Sequence, residues 1–225
     1  MAKKVIQSVR MFSEALSPIY RLWAWILLAW AVYRYYFRFP EWVDELVFKP
    51  LVFVAPVLWY TLKKEKKRLD SLGLTGKNFF PSLYIGIGFG IVFALEGILA
   101  HFLKYKSLNV NPIAAFGTYG FGLLGISLAT AFSEELLCRG FLFNRLFEKT
   151  KKLNGSAIIG ALLFILLHVP MLLTVNKLHG VTLIMFFVTD FILAFANSML
   201  LSVNGSLVAP ILVHLFWNMT VALYL

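Results

Sequence analysis

The sequence predicts an all-α protein, a polytopic bundle of about seven transmembrane helices. Hydrophobic residues make up 60% of the 225 residues and charged residues only 14%, whereas soluble domains contain about 45–50% and about 25% respectively. Seven spans of roughly 20 residues each would account for most of this apolar content. The single cysteine excludes a secreted disulfide scaffold, and the 16% aromatic content excludes a disordered chain.

Apolar runs of spanning length occur seven times along the chain. The first two contain charged residues, and the second also contains Pro50; the third to the seventh give the clearer signal. The predicted spans are residues 20–37, 46–62, 82–102, 116–143, 157–174, 181–203 and 207–225.

Lysine and arginine residues are divided unequally between the two sides of this arrangement. When the spans alternate in direction, fourteen of these residues fall on the side of the N-terminus and six on the other side. Because cytoplasmic loops of membrane proteins carry the excess of Lys and Arg, we expect a cytoplasmic N-terminus. The net charge of +10 then reflects loops that contact anionic membrane lipid, and no nucleic acid partner is expected.

One predicted span carries three charged side chains that a bilayer disfavours, Glu134, Glu135 and Arg139. Each charge at the centre of a span costs about 2.5–3.5 kcal/mol on the insertion scale. These groups are therefore expected to face the interior of the bundle or a water-filled cavity.

Two histidines in later spans lie at a similar depth. Measured from the predicted ends of their spans, Glu134, His168 and His214 lie roughly 10–17 Å below the cytoplasmic boundary. A common depth on three helices predicts a shared polar cavity. By this count the three side chains lie in the half of the membrane that faces the cytoplasm.

Spacing within the helices divides these residues into two groups. Residues four apart lie on one helix face, so Glu135 and Arg139 are expected to form a structural ion pair, and His214 and Asn218 are expected to point the same way. Glu134 is left without a partner among its helical neighbours. We therefore interpret Glu134 as the chemically active carboxylate.

One glutamate, two histidines and an asparagine are suited to hydrolysis by an activated water. Glu134 would take a proton from a water held jointly with His168, while His214 and Asn218 would donate hydrogen bonds to the oxyanion. Glu134, His168 and His214 could instead hold Zn²⁺ with a water as the fourth ligand, as in a metalloendopeptidase. Because the chain has no H-E-x-x-H helix, zinc is the second alternative and no cofactor is the first.

Three short motifs follow one another on the late spans. They are E-E-x-x-x-R at Glu134, Glu135 and Arg139, F-x-x-x-H at Phe164 and His168, and H-x-x-x-N at His214 and Asn218. In this order they resemble the CAAX prenyl protease 2 and bacteriocin-processing (CPBP, or ABI) family of intramembrane proteases. The resemblance begins near the segment Leu72-Gly73-Leu74. It divides the chain into an N-terminal membrane segment with two spans, residues 1–70, and a protease core, residues 71–225.

The resemblance implies a helical bundle with a cavity open to the cytosol and an endopeptidase that cuts near the cytoplasmic leaflet. It implies that Glu134 activates water with the help of His168 and that His214 and Asn218 bind the oxyanion, without a metal. The expected substrate is a peptide or protein, lipidated in the case of the CAAX proteins that eukaryotic members process. The short chain is similar to prokaryotic members, so we expect a multi-pass protein of a prokaryotic plasma membrane.

Two other interpretations stay open at this point. The same cavity could serve a non-catalytic protein that binds a peptide, confers bacteriocin self-immunity or acts as a scaffold. A transporter could use Glu134, Asp190 and His168 as a proton relay, although the sequence contains no inverted repeat of the kind that many transporters have.

Overall fold

The computed structural model describes residues 2–107, 111–174 and 178–224. The protein is 88% helical and these residues include no strand, which confirms the predicted all-α class. The long helices of the described residues are numbered α1 to α7. They are Ala2–Tyr36 (α1), Glu41–Lys64 (α2), Phe79–Tyr105 (α3), residues 111–150 (α4), Leu153–Thr174 (α5), Gly180–Asn204 (α6) and Val208–Tyr224 (α7).

Each predicted span overlaps one of these helices. Within the described residues, six helices, α1 to α6, are long and apolar enough to cross a membrane. The protein is therefore an integral multi-pass membrane protein. The seventh helix is apolar but has 17 residues, or about 25 Å, which is shorter than the roughly 30 Å hydrocarbon layer. The count of seven spans thus stays a prediction.

α1 contacts the bundle through one stripe of large apolar side chains. These side chains recur at intervals of three and four residues and are all buried: Leu16, Ile19, Trp23, Ile26, Trp30 and Tyr33. Trp25, Leu28 and Tyr36 are exposed on the remainder of the helix surface. One face of α1 therefore packs against protein, and the other is suited to lipid.

α2 is a continuous helix that includes π-helical turns. These turns are Asp44–Phe48, Pro50–Val54 and Tyr60–Lys64. Pro50 lacks an N–H and its ring crowds the preceding turn, so wider turns allow the helix to continue through it. The first half of α2 places Glu45 and Lys49 against α4, where Thr130 Oγ1 donates a hydrogen bond to Glu45 Oε2 at 2.6 Å.

Two glycines of α3 allow its backbone to approach α7 closely. A Cβ atom added at Gly86 would lie 2.5 Å from Leu212 Cβ, and one at Gly90 would lie 2.2 Å from Phe216 Cδ2. Only glycine fits at such separations, as in the small-residue contacts between membrane helices. Gly86 and Gly90 therefore serve helix packing.

The connections at one end of the bundle are joined by polar contacts. Asn78 Nδ2 donates to Asn204 O at 2.9 Å, and Leu207 N donates to Gly73 O at 3.0 Å. We call this the lysine-rich end, which comprises residues 63–78, 144–153 and 204–208. We call the other end the distal end, which comprises residues 34–45, 171–174 and 221–224.

Candidate active site

A cavity of about 330 Å³ lies among α1, α2, α4, α5, α6 and α7. Its lining includes all four residues that the sequence indicates as catalytic, which are Glu134, His168, His214 and Asn218. Glu134 is 5% exposed and His214 is 3% exposed. The structure therefore brings the candidate residues of α4, α5 and α7 together around one space inside the protein.

Two imidazole rings converge on one oxygen of Glu134. His214 Nε2 lies 3.6 Å from Glu134 Oε2, and His168 Nε2 lies 3.9 Å from the same atom. Both distances are longer than a direct hydrogen bond, and Oε2 is buried without a hydrogen-bond partner. A water beside these three atoms would complete the bonding of Oε2.

Contacts on the far side of each ring determine which nitrogen carries the hydrogen. His214 Nδ1 lies 2.7 Å from Glu135 Oε1, and His168 Nδ1 lies 3.2 Å from Phe164 O. Because a carboxylate and a carbonyl only accept hydrogen bonds, Nδ1 is the donor in both rings. In the neutral rings, both Nε2 atoms are then acceptors, and together with Glu134 Oε2 they form a site for a molecule that donates hydrogens.

Glu135 anchors this arrangement from a fully buried position. Its Oε1 accepts hydrogen bonds from His214 Nδ1 and from Asn197 Nδ2, the latter at 3.0 Å. Its Oε2 lies 3.2 Å from Arg139 Nε, the partner that the spacing of four residues indicates. Sequence reasoning missed Asn197, although an amide in the middle of an apolar span was a signal.

Phe164 connects the first two motifs through its ring. The guanidinium carbon of Arg139 lies 4.4 Å from the ring centre of Phe164, a cation–π contact. The Phe164 ring also packs edge-on against His168, with 4.7 Å between ring centres, and against His214 at 5.9 Å. Phe164 thereby fixes the two imidazoles relative to the buried ion pair.

Lys49 is a member of the site that sequence reasoning missed, and Glu134 is not unpaired. Lys49 Nζ lies 2.9 Å from Glu134 Oε1 and also forms an ion pair with Glu45. Lys49 is 5% exposed, so this cation lies inside the protein. It comes from the N-terminal segment and contacts Oε1, whereas Oε2 faces the imidazoles.

Two more polar groups of the lining have buried atoms without a partner. Asp190 Oδ2 lies 3.7 Å from His168 Nδ1 but has no hydrogen-bond partner, and neither has Asn218 Nδ2. An unsatisfied buried donor is costly in free energy. Asn218 is therefore suited to donate to an oxygen atom of a bound molecule.

The side chains around Glu134 Oε2 are less suited to bind a metal ion than to bind a water. In the parts of the chain that the structure describes, no group of three His, Cys, Asp or Glu side chains is arranged to hold a metal. The ammonium of Lys49 at 2.9 Å already supplies positive charge to Glu134, and a zinc ion at this carboxylate would be repelled by it. We therefore derive no step through a metal at Glu134, His168 and His214.

The cavity extends from the middle of the bundle to the distal end. Arg34, Glu41 and Ala222 of the distal end contribute to its lining, and Glu134 is the α4 lining residue nearest the lysine-rich end. The predicted cytoplasmic N-terminus thus conflicts with the predicted position of the cavity on the cytoplasmic side. If the lysine-rich end is cytoplasmic, the cavity lies nearer the other side of the membrane.

A comparison with known families gives a match over residues 116–220, just under half of the chain. The matching family is Rce1-like, described as type II CAAX prenyl endopeptidase Rce1-like. This segment contains all three motifs, so the resemblance that the motifs indicate is confirmed there. No curated protein and no solved structure matches the chain.

Proposed function

Because residues 116–220 are Rce1-like, we propose that this chain is an intramembrane endopeptidase that hydrolyses a peptide bond with a water activated by Glu134. The family match indicates a peptidase of the CAAX protease type, with a peptide or protein as its substrate. The observation that carries the mechanism is the convergence of His168 Nε2 and His214 Nε2 on Glu134 Oε2 in a buried cavity.

The first step is attack by water on the carbonyl carbon of the substrate. A water beside Glu134 and His168 donates one hydrogen to Glu134 Oε2 and the other to His168 Nε2. As the water oxygen bonds to the carbonyl carbon, Glu134 takes its proton and the carbonyl oxygen becomes negatively charged. The proton then passes to the amine nitrogen as the C–N bond breaks, so Glu134 is again a carboxylate at the end.

Asn218 and His214 stabilise the negative oxygen in this mechanism. Asn218 Nδ2 is a buried donor without a partner, and His214 is a second donor as an imidazolium, which carries a proton on Nε2 before the water attacks and keeps it through the cycle. The contact between His214 Nδ1 and Glu135 supports the resulting positive ring. A well-placed donor to such an oxyanion contributes about 2.7–4 kcal/mol.

Lys49 and the Glu135–Arg139 pair position the reacting groups. Lys49 holds Oε1 of Glu134, so that Oε2 faces the water site. Glu135 fixes the ring of His214 through Nδ1, and Arg139 fixes Glu135 from the other side. None of these three residues needs to touch the substrate.

A comparison of peptide termini tests this function and requires no purified substrate. Membranes of cells that contain the native chain, Glu134→Gln or Glu148→Gln are analysed for new peptide termini by mass spectrometry. Glu148 is a matched control because it lies on the same helix but at the lysine-rich end, outside the cavity. Termini that are present with the native chain and Glu148→Gln but absent with Glu134→Gln are expected. Identical termini in all three samples would exclude an endopeptidase.

A non-catalytic function, such as peptide binding, bacteriocin self-immunity or a scaffold, is the second candidate. It is favoured by one observation, the ion pair between Lys49 and Glu134, which compensates the charge of the carboxylate. In that case Glu134→Gln keeps the protective or binding effect of the native chain in the same cells, and no terminus depends on Glu134.

A further inference from the structure

Each imidazole of the site lies between Glu134 and a second carboxyl group. His214 Nε2 is 3.6 Å from Glu134 Oε2, and its Nδ1 is 2.7 Å from Glu135 Oε1. His168 Nε2 is 3.9 Å from Glu134 Oε2, and its Nδ1 is 3.7 Å from Asp190 Oδ2. Asp190 of α6 therefore occupies the position behind His168 that the other ring gives to Glu135.

The two second carboxyl groups differ in their hydrogen bonds. Glu135 Oε1 accepts a direct bond from its imidazole and another from Asn197 Nδ2. Asp190 is 5% exposed, yet its Oδ2 has no hydrogen-bond partner among the described residues. A buried acceptor without a partner costs free energy, and a donor that reached Oδ2 would recover it.

The hydrogen on His168 Nδ1 is placed to supply this bond. In the structure it is directed to Phe164 O, at 3.2 Å. That carbonyl also accepts the backbone N–H of His168 within α5, so two donors share it. A rotation of the ring that shortens the 3.7 Å contact with Asp190 would give Nδ1 an acceptor of its own.

α6 contacts the ring of His168 at two points on one helix face. Phe186 packs edge-on against the ring, with 5.6 Å between ring centres. Asp190 lies four residues later, on the same face, and both side chains line the cavity. The side chain of His168 is 17% exposed and that of His214 is 4% exposed, so His168 has more room to rotate.

The cations of the cavity lining are bound by other acidic groups. Arg34 and Lys49 are the arginine and lysine of this lining, and each is paired with an acidic side chain of α2 or α4. The hydroxyl of Thr189, the residue before Asp190, donates to carbonyl oxygens of its own helix. Within the described part of the chain, His168 is therefore the residue through which Asp190 can act.

We propose that Asp190 is a positioning residue of the hydrolysis. When the substrate is bound, Asp190 accepts a hydrogen bond from His168 Nδ1 and thereby keeps Nε2 directed at the attacking water. The bond also keeps the hydrogen on Nδ1, so that Nε2 stays an acceptor. His214 needs no such adjustment, because its contact with Glu135 is already 2.7 Å. This role rests on the proposed function.

Two substitutions of Asp190 and one control test this role on the substrate found from the termini comparison. Asp190→Leu has a similar size but no acceptor, whereas Asp190→Asn keeps an acceptor oxygen without the charge. Thr189→Val is the matched control in the same lining. For each variant, kcat, KM and the free energy of unfolding in detergent are measured.

Asp190→Leu should lower kcat roughly ten- to a hundredfold and leave KM unchanged. Its free energy of unfolding should not fall, because Oδ2 has no partner to lose among the described residues. Asp190→Asn should restore part of the rate, since its amide oxygen can accept from Nδ1. Thr189→Val should have the native kcat.

A native kcat in Asp190→Leu would overturn the proposal. A higher KM at native kcat would also overturn it, because Asp190 would then bind a cationic group of the substrate. A free energy of unfolding that falls together with kcat would overturn it by showing a structural role. Glu134→Gln is measured beside these variants. Native turnover in Asp190→Leu but not in Glu134→Gln refutes only the role of Asp190, whereas native turnover in both refutes the proposed function as well.

Discussion

α4 carries two buried ionic clusters that differ in how completely their polar atoms are bonded. At the lysine-rich end, Arg145 is 1% exposed, its Nε donates to both oxygens of Glu65 at 3.0 and 2.8 Å, and its Nη atoms reach Ser71 O and Oγ at 3.1 and 3.0 Å. In the cavity, Glu134 Oε2 and Asn218 Nδ2 are buried without a partner.

The difference separates a structural cluster from a chemical one. A buried charge whose hydrogen bonds are complete joins the elements around it, and Arg145 joins α4 to the connection between α2 and α3. Buried polar atoms without partners reduce stability, so they are expected where a substrate or water completes the bonding. The cavity cluster fits this second case, although it lies about three helical turns from Arg145.

Arg145→Met has the largest expected effect in this comparison, and the effect is on stability. Removal of one partner from a buried ion pair costs about 3–5 kcal/mol, because the remaining charge is left uncompensated. The free energy of unfolding in detergent should fall by this amount, while turnover per folded molecule stays unchanged. Lys149→Met is the matched control, since Lys149 is exposed on the same helix. If both variants lose the same free energy of unfolding, the hydrogen bonds of Arg145 do not distinguish its cluster from the cavity cluster.

Part of this contrast follows from the sequence alone. The cost of charges within spans singles out Glu134, and motif spacing adds His168, His214 and Asn218, which the structure places in one cavity. The same cost rule applies to Lys49, but in the sequence Lys49 and Pro50 look like an interruption of the span. The partner of a buried charge on a distant helix cannot be identified from a single sequence, because it depends on which helices touch.

The side of the cavity could not be derived from hydropathy for a similar reason. α4 continues past its apolar run into Arg145, which is buried because Glu65 and Ser71 bind it. Such tertiary contacts extend a buried helix beyond the end of its apolar residues. α4 thus continues seven residues past the predicted span, and the depth of Glu134 below the membrane boundary stays a prediction.

Asn218→Ala has the next largest expected effect, and the effect is on turnover. Loss of an oxyanion donor costs about 2.7–4 kcal/mol, or roughly a hundred- to a thousandfold in rate. Stability should change little, because Nδ2 has no partner to lose in the structure. The rate is measured on the substrate found from the termini comparison. Ser127→Ala, a change in the same lining, is expected to keep its rate. If the free energy of unfolding falls by as much as the activation free energy rises, Asn218 has a structural role, as Arg145 has.

Lys49 shares one feature with each cluster. It is paired with acidic side chains, as Arg145 is, but one of them is the carboxylate of Glu134. A hydrogen bond to a charged group contributes about 1.5–3 kcal/mol, so Lys49→Met should lower turnover roughly ten- to a hundredfold. Lys49→Arg should retain most of the rate, since it keeps a donor cation near Glu134 Oε1. Native turnover in Lys49→Met would show that Glu134 needs no positioning cation.

The last prediction is that removal of metal ions leaves turnover unchanged. The ring contacts alone do not separate the two mechanisms, because a carboxylate such as Glu135 on Nδ1 also supports histidines that bind zinc. The separating feature is the ammonium of Lys49, 2.9 Å from Glu134 Oε1, which disfavours a second cation at the same carboxylate. Turnover should therefore be the same before and after dialysis against a chelator. If activity is lost and Zn²⁺ restores it, Glu134, His168 and His214 are metal ligands. Glu134 Oε2 would then be bonded in the working enzyme, and Asn218 Nδ2 would be left as the atom of this comparison that is buried without a partner.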